Sequence, residues 1–385
     1  MSVAAPRAVD LATGVAGAYA TKLLAEVGWD VVKVEPPGGD PLRRQGSRWG
    51  GGQGGAFAFA NHGKRGVVLE DRARLEALVQ AADVVVGDFS PAGAEASGIE
   101  REAFATLGPK AGVVSVTPFG LRGPRASWTA SDLVVQAASG LMFLTGEWDQ
   151  PPMQLPPYAA AMTGGLAAAS AAIAAMLSAN LGGDVRRVDV SMVEAMGALT
   201  YSPASAYAHT GEVARREQRV KQALRMVPAS DRFVYCAPGA VGNVRMEGVA
   251  QLIDEPRLAE ERFQTAEGRM QHWDEYLELF VPPFLRQTAQ QWFEQAEALH
   301  LTFALVQTVD DLFSCPQVAA RELLREVPRP EGVAGLVHAP GSASAGLVAI
   351  PGRPFHLEGG PPAPTRSAPA EPGQDTAEVL TEWLT

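Results

Sequence analysis

The chain is poor in cysteine and in positive charge. Its 385 residues hold only two cysteines, Cys236 and Cys315, too far apart for a zinc motif or a disulfide framework, which fits a reducing cytoplasm. Acidic residues outnumber basic ones, 43 to 32, for a formal net charge of −11. That balance excludes nucleic acid and an anionic membrane surface as main partners, because both need a basic face. An anionic ligand must therefore meet a local cluster of cations. No apolar stretch precedes Asp10, so no secretory signal is expected.

Residues 150–183 contain no Asp, Glu, Lys, Arg or His. The run is long enough to span a bilayer, yet it is mostly Ala with Gly, Ser and Thr and has no aromatic belt. A buried helix packed through small residues is expected instead. Two nucleotide signatures are also absent. Gly14 and Gly17 match only one interval of G-x-G-x-x-G, so Glu35 is not expected to hold a dinucleotide ribose. The glycine run 50–55 is not followed by Gly-Lys-Ser/Thr, which leaves a surface loop rather than a phosphate cradle.

What is present is an alternation of Val-rich runs (31–35, 66–69, 82–86, 113–116) with helical patterns such as 73–81. Such alternation predicts an α/β fold with a mostly parallel, Rossmann-like sheet. Ser131 and Gly140 bracket a short helix, and helices are expected over 160–181 and 190–200. The pattern changes near Val227, where a turn and strand open a smaller α/β unit. We therefore expect a large domain over 1–205, a linker at 206–225, a small domain over 226–327, and a C-terminal segment 328–385 returning to the large domain. The Pro- and Gly-rich stretch 328–372 reads as surface chain before a last helix at 376–384.

Asn61-His62-Gly63-Lys64-Arg65 places two cations at a strand start in an acidic chain, a local anion site in waiting. Several segments together resemble the class III CoA-transferases, the CaiB/BaiF group. Asp10 through Tyr19 is similar to D-L-T-x-V-x-A-G-P-Y. Val31-Val32-Lys33-Val34-Glu35-Pro36-Pro37-Gly38-Gly39-Asp40-Pro41 is similar to V-I-K-V-E-P-P-G-G-D-P. The resemblance continues through Lys64-Arg65, Ala82–Pro91, Val114–Gly120, Gln136–Gly146, Asp189–Ala195 and the helix at Pro316–Arg321, nearly the whole chain. It implies an interlocked dimer, acyl-CoA and a carboxylic acid as substrates with no tightly bound cofactor or metal, and CoA contacts from Lys64, Arg65, Leu69, Asp88 and Phe89. Asp88 stands where the family has Asn. Ala96, Thr129 and Val15 replace polar or charged residues of some relatives.

The family carries the acyl group on an aspartate ahead of an Ala-rich helix. Matching that helix on Gly165-Leu166-Ala167-Ala168 puts the position at Ala161, and matching Tyr158 puts it at Pro157. Either way no acid lies between Asp149 and Asp184, so the covalent route is closed to this chain alone. Asp132 is a candidate supporting acid, alongside Glu147 and Asp149, with capping as its plainer role. The superfamily's racemase pair is missing too, since Ser131 occupies the histidine's place. The reading is a CoA-transferase-like protein acting as the Asp-lacking subunit beside a homologous Asp-bearing one. The alternatives are a non-catalytic CoA-binding or structural subunit, or a homodimer with diverged lyase or hydrolase activity.

Overall fold

Six Val-rich segments pair side by side in the computed structural model, which describes residues 4–46, 54–97, 102, 106–147, 149–184, 187–216, 226–236, 246–328 and 347–385. They are β1 (Arg7–Asp10), β2 (Asp30–Glu35), β3 (Arg65–Val68), β4 (Val84–Gly87), β5 (Gly112–Thr117) and β6 (Arg187–Ser191). All pairings are parallel, in the order β3-β2-β1-β4-β5-β6. Strands covered on both faces need no polar alternation, which is why β4 reads as an unbroken apolar run and β5 departs from one only at Ser115 and Thr117. Most of the glycine run 50–55 and the charged stretch 217–221 lie outside the described residues.

Helices α1 (Val15–Glu26), α2 (Gly55–Ala60), α3 (Arg72–Ala81), α4 (Pro91–Ser97), α5 (Asp132–Ala138) and α6 (Ala159–Asn180) cover the sheet and its carboxyl edge. One face packs Leu23, Leu24, Val114 and Val116 against Ala161, Ala168 and Ala172 of α6. The other packs Val9, Val85 and Val113 against Leu78 and Val79 of α3 and against Val379 and Trp383 near the C-terminus.

The structure corrects the expected helix over 190–200. Val188 and Val190 pair in register with Val114 and Val116, so the chain stays extended as β6 through Ser191. Only then does α7 (Met192–Gly197) begin, with Ser191 Oγ accepting the Glu194 N–H at 3.3 Å. A strand beside β5 supplies it with backbone partners along one whole side, and helical propensity cannot match that gain.

The charge-free segment is α6, of 22 residues, and among the described residues it is the one helix long and apolar enough to cross a membrane. It buries Ala160, Ala161, Gly164, Gly165, Ala168, Ala169, Ala172 and Ala175 along one side. A methyl at residue 165 would lie 2.5 Å from the Ala16 carbonyl oxygen, and one at 164 would lie 2.6 Å from the Met192 side chain. Glycine is thus what lets α6 touch the start of α1.

Contacts divide the chain into two units, Met1–Thr145 with Met153–Ala214 and Phe313–Thr385, and Gly146–Pro152 with Arg215–Leu312. The first also holds α8 (Tyr201–Thr210). The second has three antiparallel strands, β7 (Met226–Pro228), β8 (Phe233–Cys236) and β9 (Phe303–Leu305), with helices α9 (Met246–Leu252), α10 (Trp273–Phe284) and α11 (Ala289–Ala298). Its core is aromatic: Phe263, Tyr276, Phe280, Phe284 and Trp292 pack together, and Trp292 Nε1 donates to the Phe284 carbonyl at 2.8 Å. Cys236 lies in that core, where burial pushes its thiol pKa up and leaves it unreactive.

Gly165→Ala should destabilise the protein by about 1–3 kcal/mol, because its methyl meets backbone rather than a movable side chain. Gly14→Ala, with no atom within 4 Å of its new methyl, is the control and should stay within about 0.5 kcal/mol. Denaturant unfolding of both variants checks the pair.

Candidate functional site

The strand order reverses between β1 and β4, and in sheets of this kind ligands bind in the crevice at the carboxyl ends of those strands. There β1 runs into Leu11, whose N–H donates to the Val86 carbonyl at 2.8 Å, and then into the turn that starts α1. The end of β4 delivers Gly87, Asp88 and Phe89 to the same edge. Gly87 has no room for a side chain, since its methyl would lie 2.9 Å from the Phe89 ring.

Beneath this edge lies a buried charge network. Asp10 Oδ2 accepts from Lys64 Nζ and from Thr21 Oγ1, both at 2.8 Å, and its Oδ1 accepts from the Ala12 N–H at 2.9 Å. Lys33 Nζ stands 3.6 Å from Asp10 and 2.9 Å from Asp40, and also donates to the Ala12 carbonyl. Burial alone would raise the Asp10 pKa, but Lys33 and Lys64 outweigh it and hold the carboxyl at about 2. Burial would lower Lys33, yet Asp10 and Asp40 together carry it above its ordinary value. For Lys64 burial, with the Lys33 charge beside it, outweighs Asp10 and the more weakly acting Asp40 and brings it down to about 8.

Several expected ligand residues are therefore occupied by the fold. Lys64 is fully buried, and besides Asp10 it donates to the Ala18 carbonyl and to Asn61 Oδ1, each at 2.8 Å. Arg65, next in the chain, pairs with Asp30, Glu378 and Glu382 instead, and so ties the C-terminal helix to the start of β2. The two cations share no anion site: their charges are met on separate sides by carboxylates of the chain itself. Phe89 is 1% exposed in the core on one face of the sheet, with Leu69 packed against the same cluster. Asp88 Oδ1 accepts the Ser90 N–H at 2.9 Å, and burial raises its pKa. Glu35 is bound by Arg43 through two contacts of 2.7 Å, which leaves it no ribose to hold.

Asp132 and Ala161 do meet. Asp132 Oδ1 accepts the Ala161 N–H at 2.9 Å, and Oδ2 accepts from Gln136 Nε2 at 2.7 Å. Gln136 Oε1 in turn accepts the Leu155 N–H at 2.8 Å. Helix α6 starts at Tyr158 in the left-handed region (φ 68°) with no side-chain cap of its own. A carboxylate from α5 therefore satisfies a first-turn donor of α6 and lies on the positive end of its dipole. Residue 161 is thus held in the first turn of the helix, 9% exposed. Among the described residues no group of three or more His, Cys, Asp or Glu could hold a metal ion.

Sequence reasoning passed over Asp10, Lys33 and Asp40 as a unit. The available signal was Lys33, a cation within an apolar strand, where burial demands paired carboxylates.

A doubly wound parallel sheet with this edge defines a Rossmann-like α/β protein. The model of the CoA-transferase family III matches residues 5–376, and the chain belongs to that family. It is 30% identical over 345 residues to the succinate–glutarate CoA-transferase of Agrobacterium fabrum, covering 85% of each chain. It is 29% identical over 338 residues to subunit BbsE of the succinyl-CoA:(R)-benzylsuccinate CoA-transferase of Thauera aromatica, covering 82% of this chain and 81% of that one. The crystal structure of a CaiB/BaiF family protein from Brucella suis superposes with a TM-score of 0.81 at 25% identity over 98% of both chains.

Removing Lys64's charge by Lys64→Met should cost about 3 kcal/mol or more of stability, because it strips a buried carboxylate of a partner. The wild-type protein should also lose stability as pH falls from 3.8 toward about 2. Asp10 is depressed in the folded state, so its contribution is full above 3.8 and is lost through the lower value. Denaturant titrations of variant and wild type across pH read both effects. A flat acid profile for the wild type would remove Asp10 from its central place.

Proposed function

We propose that this chain is a CoA-transferase subunit that binds an acyl-CoA thioester at the carboxyl edge between β1 and β4, near Leu69, Asp88 and Phe89. In this reading it moves CoA to a carboxylic acid only together with a homologous chain that carries the aspartate. The observation that carries it is Ala161, held in the first turn of α6 by Asp132 in a stretch with no acid from 150 to 183. A methyl has no lone pair with which to attack a thioester, so no acyl anhydride can form on it. Asp132 is committed to the α6 N–H and to Gln136, and acts as a positioning residue. Lys64 and Arg65 serve CoA through the frame they hold.

Two facts support a partner chain. The relative from Thauera aromatica is itself named as a subunit. Leu166, Ile173 and Leu177 of α6, with Leu181 at its C-cap, form one stripe and are 43–79% exposed, an apolar face that a second chain of the interlocked pair would cover. We place the activity in the cytoplasm, in keeping with a chain of 385 residues that holds only two cysteines.

The purified chain alone should show no CoA exchange between an acyl-CoA and a free acid, and activity should appear on co-expression with an Asp-bearing homologue. Turnover by the single chain, with an enzyme-bound acyl group trapped by hydroxylamine, would overturn the proposal. Ala161→Asp should restore partial exchange, because the new carboxylate would stand at the same helix start.

A further inference from the structure

Far from that edge, the C-terminal segment builds a second hollow. Helix α12 (Pro316–Ala320) ends at Arg321, and β10 (Leu324–Pro328) pairs antiparallel with β11 (Leu347–Pro351). The base of this hairpin is clasped by the Gly352 N–H donating to the Leu323 carbonyl at 2.8 Å, and by His356 Nε2 donating to the Arg321 carbonyl at 2.9 Å. Between helix and hairpin base lies an open cavity of about 270 Å³, lined by Val318, Leu323 and Phe355 on its apolar side and by Arg321, Arg353 and His356 on its polar side. Among the described residues the lining includes no acid.

That composition is unusual in a chain with a net charge of −11. Among the described residues neither guanidinium has an ion-pair partner. Arg353 uses Nη1 on the carbonyls of Glu26 (3.1 Å) and Pro361 (3.4 Å), which fixes its position without neutralising it, and the Arg321 side chain is exposed. The contact with Glu26 places the hollow at the last residue of α1. The crevice lies at the other end of that helix, and 12 residues at 1.5 Å per residue separate the ends by roughly 18 Å.

We propose that this hollow is a second binding site, for a small carboxylic acid with an apolar body. Two guanidinium forks can meet one carboxylate, while the apolar wall takes a ring or short alkyl group. The volume, about nine water molecules' worth at ~30 Å³ each, admits a benzoate-sized ligand. The site goes beyond the transfer reaction and stands independently of it, since its readout is binding.

Isothermal calorimetry on the full-length protein with benzoate, benzamide and inorganic phosphate tests it, repeated on Arg321→Gln and Phe355→Ala. Benzoate should bind saturably, benzamide and phosphate at least about tenfold more weakly, and each variant should weaken benzoate by about tenfold while melting as the wild type does. The two variants remove different walls, so either one alone reads the site. Benzoate affinity unchanged in both variants would overturn the proposal by placing the ligand elsewhere. Phosphate binding as tightly as benzoate would overturn the assignment to carboxylic acids. Absence of saturable heat with benzoate would overturn the site altogether.

Discussion

The large unit depends on one buried carboxylate, Asp10. It ends β1, and its register partner across the sheet is Lys33 of β2. Lys64, immediately before β3, reaches the same carboxyl, and Asp40, in the loop after β2, closes the set from the other side of Lys33. With Glu35 and Arg43 beside them, the buried acids and cations balance. Burial makes the arrangement exacting, because a single unpaired charge there costs several kcal/mol. A slip of β2 by one residue would turn Lys33 to the opposite face of the sheet and leave Asp10 and Asp40 short of a cation. The ion network thus sets the register of three strands, and with it the turn that opens α1 at the carboxyl edge.

From that turn the second constraint follows. The start of α1 is met by α6 at Gly165, at a distance no larger residue permits. Small residues on one side of α6 give a close approach and little else, so the helix buries Ala and Gly inward and leaves Leu166, Ile173 and Leu177 outward. A helix packed this way contributes little apolar area to its own core, and the second chain proposed above is what would cover the rest. The same approach sets residue 161 against the start of α1, where the Asp132 carboxylate fixes its backbone.

Much of this was legible in the chain. The Val-rich runs mark β2, β3, β4 and β5 because a strand covered on both faces has one requirement, apolarity. The charge-free run 150–183 reads as a helix packed through small residues, and α6 is that helix. β6 was missed although Val188-Asp189-Val190-Ser191 alternates as a half-buried strand does; so short a run does not decide the matter, and what keeps it extended is β5, whose paired residues lie 74 positions earlier in the chain. The partners of Lys64 and Arg65 were not legible for a related cause. Neighbours in a strand face opposite sides, and the carboxylates that claim Arg65 include Glu378 and Glu382, which local pattern cannot bring to it. Ala161 could be picked out by the missing acid, whereas its bond to Asp132 joins two helices and needed the fold.

The first turn of α6 shows what the chain keeps and what it lacks. The Ala161 N–H is one of the donors that a helix start cannot satisfy internally, and Asp132 satisfies it with a full charge. An aspartate side chain at 161 would bring a second carboxylate to this helix end. The helix dipole favours that charge and Asp132 opposes it, a balance that tunes a nucleophile. With alanine at 161 the helix start keeps its support: Asp132 accepts the Ala161 N–H, Gly165 admits α1, and Gln136 ties down Leu155. That frame is what the proposed sharing of the site between two chains requires of this one.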